Sequence, residues 1–188
     1  MGRYDKYSRN PRRLQGYDYG SEGLYFITIC TKDRWPFFGE VRSGEMILSD
    51  AGVIVRDCWL QIPHYHPEVL LGEFVVMPNH VHGILELERV GPLPTSATSL
   101  CYNDATTEAA GEKNHYMADL SSKAGSISRI VGSYKRSCTI RVKEVGVKDF
   151  SWQSRFHDHI IRNQQELEKI ENYIVSNPAK WADDKFHL

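Results

Sequence analysis

Three His-x-His triplets stand in the chain: His64-Tyr65-His66, His80-Val81-His82 and His157-Asp158-His159. Two neutral imidazoles presented together suit a divalent transition metal, and a shell they leave open can accept phosphate oxygens. Both rings must share a side, which positions i and i+2 of a β-strand provide. The middle triplet opens HVHGILELE, residues 80–88, where alternation is clean. His80, His82, Ile84, Glu86 and Glu88 point one way; Val81, Gly83, Leu85 and Leu87 point the other. The first triplet lies between Pro63 and Pro67, in an expected loop. The third can lie on a strand, so spacing does not exclude it. Against all three stands the plain reading of surface or hydrogen-bonded histidines. Glu86 lies roughly 13 Å along the strand from His82, so it and Glu88 read as a solvated face rather than as further ligands.

A second chemistry would come from tyrosine, of which there are ten. A phenol with a pKa near 10 needs a cation or base beside it to attack at neutral pH. Tyr173 falls on the apolar stripe of a C-terminal helix, with Asn177 one turn on, where an amide oxygen can complete a metal shell. Core packing is the competing reading of such a tyrosine. Tyr134, within Ser133-Tyr134-Lys135-Arg136, is the rival, with basic neighbours suited to phosphate. Asn177 precedes Pro178, which biases it away from helical dihedrals and would loosen the one-turn relation.

Several elements must position these groups. Residues 23–32 (GLYFITICTK) read as a core strand and residues 37–48 as a hairpin turning at Ser43-Gly44. Ser49 or Asp50 can cap a helix over residues 50–62 that ends before Pro63. Residues 69–77 and 80–88 read as two further strands. Residues 126–145 read as a helix with Ile127, Ile130, Val131 and Tyr134 on one stripe and basic residues elsewhere. Residues 155–162 read as a short strand. A last helix begins near Gln164, with Asn163 and Glu166 at capping-box spacing. Its inner face carries Leu167, Ile170, Tyr173, Ile174 and Asn177. The order predicts an α+β, ferredoxin-like antiparallel sheet with helices packed on one face, plus a C-terminal helix carrying the tyrosine. Residues 89–124 are small, polar and turn-prone, and read as a flexible insertion or lid.

The 188 residues, 41% hydrophobic and 25% charged, fit a single domain over 1–188. A net charge of −1 does not advertise nucleic-acid binding, so a local patch would be needed. Residues 1–20 offer one: Arg3, Lys6, Arg9, Arg12 and Arg13, interleaved with Tyr4, Tyr7, Tyr17 and Tyr19. Such an arm can neutralise phosphates and stack on unpaired bases; a solvated tail is the alternative. The four cysteines form no CxxC pair, which points to a reducing compartment and away from a zinc ribbon. No run approaches the roughly 20 apolar residues of a membrane span, and the N-terminus is polar, so no membrane association and a cytoplasmic location are expected.

Four blocks carry a resemblance. LQGYDYGSEGLYFITICTKD (14–33), VVMPNHVHGIL (75–85), Trp152-Gln153 with RFHDHIIRN (155–163), and ENYIVSNPAKW (171–181) resemble, in their order along the chain, the REP-associated tyrosine transposases. These are a branch of the single-tyrosine HUH transposases of insertion-sequence type. The resemblance spans most of the chain except 89–124, and its combination of blocks is far more specific than any His-x-His. It implies a ferredoxin-like fold, with His80, His82 and Asn177 as metal ligands and Tyr173, rather than Tyr134, as nucleophile. His159 matches a recurrent histidine of no assigned role. It further implies a Mg²⁺- or Mn²⁺-dependent enzyme that nicks single-stranded DNA at hairpin-flanked sites and transfers the strand through a 5′-phosphotyrosine. ATP is not required, consistent with the absence of a GxxxxGK[ST] loop. The implied partners are single-stranded DNA and DNA hairpins, with the arm at 1–20 as a contact, in a bacterial, nucleoid-associated monomer or homodimer. The readings set against it are a non-catalytic, domesticated hairpin binder, a replication initiator or relaxase, and a ferredoxin-like metal-binding protein with no single-strand preference.

Overall fold

The computed structural model describes residues 20–88 and 125–187. The arm residues Arg3, Lys6, Arg9, Arg12 and Arg13, and the insertion at 89–124, lie outside the described residues.

Strands β1 (Gly23–Cys30), β4 (Val69–Met77), β5 (His80–Leu87) and β6 (His157–Ile161) form one antiparallel sheet in the order β4-β5-β1-β6. The two central strands are therefore first and third of the four, the ferredoxin-like arrangement that the element order predicts. Each pairing is antiparallel, with Thr28 opposite His82 and Cys30 opposite His80. Strands β2 (Gly39–Arg42) and β3 (Glu45–Leu48) make a separate hairpin. Its turn falls at Ser43 and Gly44, both with positive φ (51° and 81°), as tight hairpin turns of the primed type require.

Helix α1 (Asp50–Leu60) is capped by Ser49, whose oxygen accepts from the Gly52 N–H at 3.2 Å. The sequence predicts that this helix runs to residue 62 and stops before Pro63. Instead it stops at Leu60, and Pro63 sits in the first turn of a short helix, α2 (Ile62–Tyr65). A proline there sacrifices no intrahelical hydrogen bond. The triplet at 64–66 thus begins on a helical turn rather than in a loop, where i and i+2 diverge.

Helix α3 (Ile127–Glu144) and α1 cover one face of the sheet. Tyr25, Ile27, Ile29, Val81, Leu85 and Leu87 meet Trp59, Ile130, Val131 and Tyr134 there, all buried. Gly83 has a reason to be glycine: a Cβ there would lie 2.3 Å from the Trp59 ring. Helix α4 (Gln164–Ser176) covers the other face over a smaller cluster, Ile84, Ile161 and Ile174, flanked by Leu24, Phe26, Val75, Leu167 and Ile170. Asn163 caps α4 through its oxygen, accepting from the Glu166 N–H at 2.9 Å. Glu166 turns back one residue further than a capping box expects, accepting from the Arg162 N–H. Its other oxygen takes His159 at 2.7 Å, on an exposed edge. Among the described residues no helix is long and apolar enough to cross a membrane.

Candidate active site

The alternation of β5 delivers His80 and His82 to the face covered by α4, and burial there is nearly complete, with exposures of 0% and 1%. Their ring centroids lie 4.4 Å apart. Burial is the main force on both: it holds His80 at a pKa of about 3, with Lys185 and Arg34 adding to the effect. It also drives His82 well below the ordinary histidine value, with His80 adding to the effect. Both rings are therefore neutral, the state that offers a lone pair.

The hydrogen bonds decide which nitrogen offers it. The Asn79 amide donates through Nδ2 to the carbonyls of Arg34 (3.1 Å) and Phe186 (2.8 Å), so its Oδ1 faces the His80 ring. Oδ1 must accept, at 2.8 Å, from His80 Nδ1–H. That leaves His80 Nε2 as a bare acceptor, and it is buried with no hydrogen-bond partner. For His82 the matching tautomer donates from Nδ1 to Thr28 Oγ1 at 2.9 Å, leaving Nε2 as an acceptor 3.2 Å from the Tyr173 hydroxyl.

Tyr173 reaches the site from the inner face of α4 and is 37% exposed. Its ring meets Phe26 edge-on at 6.2 Å, and Phe26 in turn stacks on His82 at 5.3 Å. Burial, and the Asp184 carboxylate 3.4 Å from the hydroxyl, push the phenol up to about 12. Asn177 keeps helical dihedrals (φ −59°, ψ −44°) although Pro178 follows it, so the one-turn relation to Tyr173 is intact. The expected loosening by Pro178 does not occur, because the chain continues into a 3₁₀ turn over Pro178–Asp183. The Asn177 amide donates from Nδ2 to Asp184 at 3.2 Å, which aims Oδ1 elsewhere; Oδ1 is buried without a partner. Tyr134 is different. It lies in the larger core at 3% exposure, donates to the Val55 carbonyl at 3.2 Å, and has a phenol raised well above 10 by burial.

Two buried polar atoms of this site thus lack partners, His80 Nε2 and Asn177 Oδ1, and a third, His82 Nε2, faces only the Tyr173 hydroxyl. Two imidazole nitrogens and an amide oxygen form a donor set that fits a divalent ion. Among the described residues no group of three or more His, Cys, Asp or Glu side chains is arranged to hold a metal. The fit therefore depends on the amide. A cavity of about 540 Å³ opens beside these groups, lined by Phe26, His82, Arg155, His157, Tyr173 and Asp184 among others.

The resemblance implies His80, His82, Tyr173 and Asn177, and the fold brings these four together. It leaves His64 and His66 on the α2 side of the molecule, and it seats His157, but not the exposed His159, at the cavity. Asn79, Thr28, Asp184 and Phe186 escape sequence reasoning. Asn79 alone carries a signal, adjoining the triplet in VVMPNHVHGIL.

The fold has known counterparts. The structure is similar to that of a REP-associated tyrosine transposase bound to a REP hairpin, with a TM-score of 0.55 at 19% identity, covering 92% of this chain and 77% of that one. A Haemophilus influenzae protein named "Putative REP-associated tyrosine transposase" is 22% identical over 179 residues, 90% of this chain and 83% of that protein. The resemblance read from the sequence blocks, and the ferredoxin-like architecture, are both borne out. More particularly, the chain belongs to one family with an uncharacterized protein of Haemophilus influenzae (strain ATCC 51907 / DSM 11121 / KW20 / Rd), 34% identical over 186 residues, 96% of this chain and 93% of that protein. No protein-family model matches the chain.

Proposed function

We propose that this protein is a metal-dependent tyrosine transposase of HUH type, which nicks single-stranded DNA at hairpin-flanked sites and rejoins it through a covalent 5′-phosphotyrosine. The observation that carries the reading is the Tyr173 hydroxyl 3.2 Å from His82 Nε2, in a site where His80 Nε2 and Asn177 Oδ1 stand buried and unpartnered. His80, His82 and Asn177 would hold the ion, Mg²⁺ or Mn²⁺. When bound, it would stabilise charge on the scissile phosphate and lower the barrier to tyrosine attack.

The chain's own residues account for the rest. Asn79 and Thr28 fix the imidazole tautomers from behind. Asp184 lies where it can take the phenol proton. The Tyr173 oxygen bonds to phosphorus, the bond from phosphorus to the 3′-oxygen breaks, and that oxygen takes a proton from solvent and leaves as a 3′-hydroxyl. The same hydroxyl, or one on another strand, reverses the attack, so the phosphodiester energy is conserved. The edge-on Phe26 ring and the partial exposure of Tyr173 suit an unpaired strand, whose phosphate can come within reach of the hydroxyl. The basic arm at 1–20 is proposed as a further DNA contact. Its place in a bacterial cytoplasm, and a monomeric or dimeric state, belong to the same proposal.

The test is a denaturing-gel assay for a protein–DNA adduct on labelled hairpin oligonucleotides drawn from the DNA flanking its own gene, with Mg²⁺ or Mn²⁺. Wild type and Tyr134→Phe should form the adduct and Tyr173→Phe should not. An adduct lost only in Tyr134→Phe overturns the assignment of the nucleophile. Binding without any adduct would make the protein a hairpin binder without catalysis.

A further inference from the structure

A second groove, of about 500 Å³, runs between the outer face of α3 and the segment leading to β6, lined by Lys135, Arg136, Thr139, Lys143, Trp152 and Gln153 among others. Gln153 also lines the catalytic cavity, as does Arg155 two residues on. The two hollows therefore adjoin along residues 153–155. This stretch is well anchored: Gln153 N–H donates to the Cys30 carbonyl at 2.9 Å, Thr31 bridges to Trp152, and the Lys135 ammonium donates to the Gln153 and Ser154 carbonyls.

The charge of this surface is uneven with the rest of the chain, whose net charge is −1. Arg129, Arg136 and Lys143 recur every seven residues, so they share one exposed side of α3. No acidic side chain lines the groove. Four arginines elsewhere are committed: Arg34 to the Lys185 carbonyl, Arg42 to Glu40, Arg56 to Asp57, and Arg141 to Cys58 and Gln61. Arg136, Lys143 and Arg155 have no hydrogen-bond or ion-pair partner among the described residues. Three uncommitted cations along one path from the nucleophile, in a chain of near-zero net charge, mark a track for a polyanion.

We infer that this groove holds the sugar-phosphate backbone of the single-stranded DNA flank that leaves the catalytic cavity. The inference rests on the proposed reading of that cavity. The flank passes Tyr173 and Arg155, turns at Gln153, and lies along α3 with its phosphates against Arg136 and Lys143. Interactions of this kind fix register and add affinity without reading sequence.

The experiment measures DNA affinity against salt concentration for wild type, Arg136→Gln/Lys143→Gln, and Arg56→Gln as a remote control. Each is measured on a hairpin with both flanks and on the hairpin alone. All three positions are on solvent-facing helix sides and glutamine is a good helix former, so thermal melts should coincide. On the flanked hairpin the double variant should show a log–log salt slope shallower by about 1.4, since each single-strand phosphate left without its cation is worth about 0.7. Its adduct-forming rate at saturating DNA should be unchanged while KM rises. On the bare hairpin it should match wild type. Equal slopes on the flanked substrate overturn the inference, and so does a difference that persists on the bare hairpin, which would assign the groove to the stem. Binding by wild type with no adduct in any metal would instead sink the catalytic reading, and the slopes would still decide the groove.

Discussion

The Tyr173 phenol is held in its protonated form, and the reason is local. Burial and the Asp184 carboxylate push its phenol to about 12. Removing the carboxylate by Asp184→Asn should lower that pKa toward the ordinary value near 10, as read by ultraviolet titration of the phenolate. If Asp184 takes the phenol proton, adduct formation must nonetheless slow in the variant; a faster rate would remove Asp184 from the mechanism. The partner of His80 makes a second case. Asn79→Ala removes the acceptor that fixes its tautomer, and Mn²⁺ affinity measured calorimetrically should fall by about 10- to 100-fold, the usual range for such supporting groups. Strand and helix periods place the imidazoles and the tyrosine on suitable faces, and the resemblance of the surrounding blocks singles them out from the other triplets and from Tyr134. It cannot reach Asp184 or Phe186, which meet the site only because the chain turns after Pro178, and no periodicity records that turn.

At the scale of elements, most of the sheet is readable because the strands alternate sharply. His80 and His82 fall on one side of β5 while Val81, Leu85 and Leu87 feed the larger core. What is unreadable is register and partnership. That Thr28 faces His82 follows from how β1 pairs with β5, a tertiary fact. The break of α1 at Leu60 escapes because Pro63 reads equally as a stop or as the first turn of a new helix. Gly83→Ala tests the packing between layers. Its Cβ would enter the Trp59 ring, which is fully buried, stacked on Phe74 and edge-on to Tyr134. Overpacking of this kind should cost about 1–3 kcal/mol in urea denaturation. Because the clash faces away from the imidazoles, the surviving folded fraction should keep its Mn²⁺ affinity.

For the whole molecule, the buried imidazoles couple stability to pH. The folded-state pKa of His80 is held near 3, against about 6.5 when unfolded. Between those values the unfolded chain binds more protons. Stability is therefore complete above about pH 6.5 and lost as pH falls toward 3, with a slope approaching ~1.4 kcal/mol per pH unit from this one group. Denaturant midpoints of metal-free protein at about pH 7.5 and pH 5 should differ accordingly, and His80→Gln should flatten the dependence. Mn²⁺ should raise the melting temperature of wild type through binding only the folded state; the same variant should lose that shift.

Tyr173 and the imidazoles belong to different layers, and only a thin seam joins them. Helix α4 seats its own Ile174 on Ile84 and Ile161, flanked by Leu24, Phe26, Val75, Leu167 and Ile170, whereas α1 and α3 share the larger core. A helix on so small a core is expected to open as a separate cooperative unit while the remainder stays native. Its amides should exchange with deuterium well before those of β1 and β5. Warming should then abolish the proposed adduct formation some degrees below the temperature at which the sheet itself melts, because Tyr173 departs with its helix first.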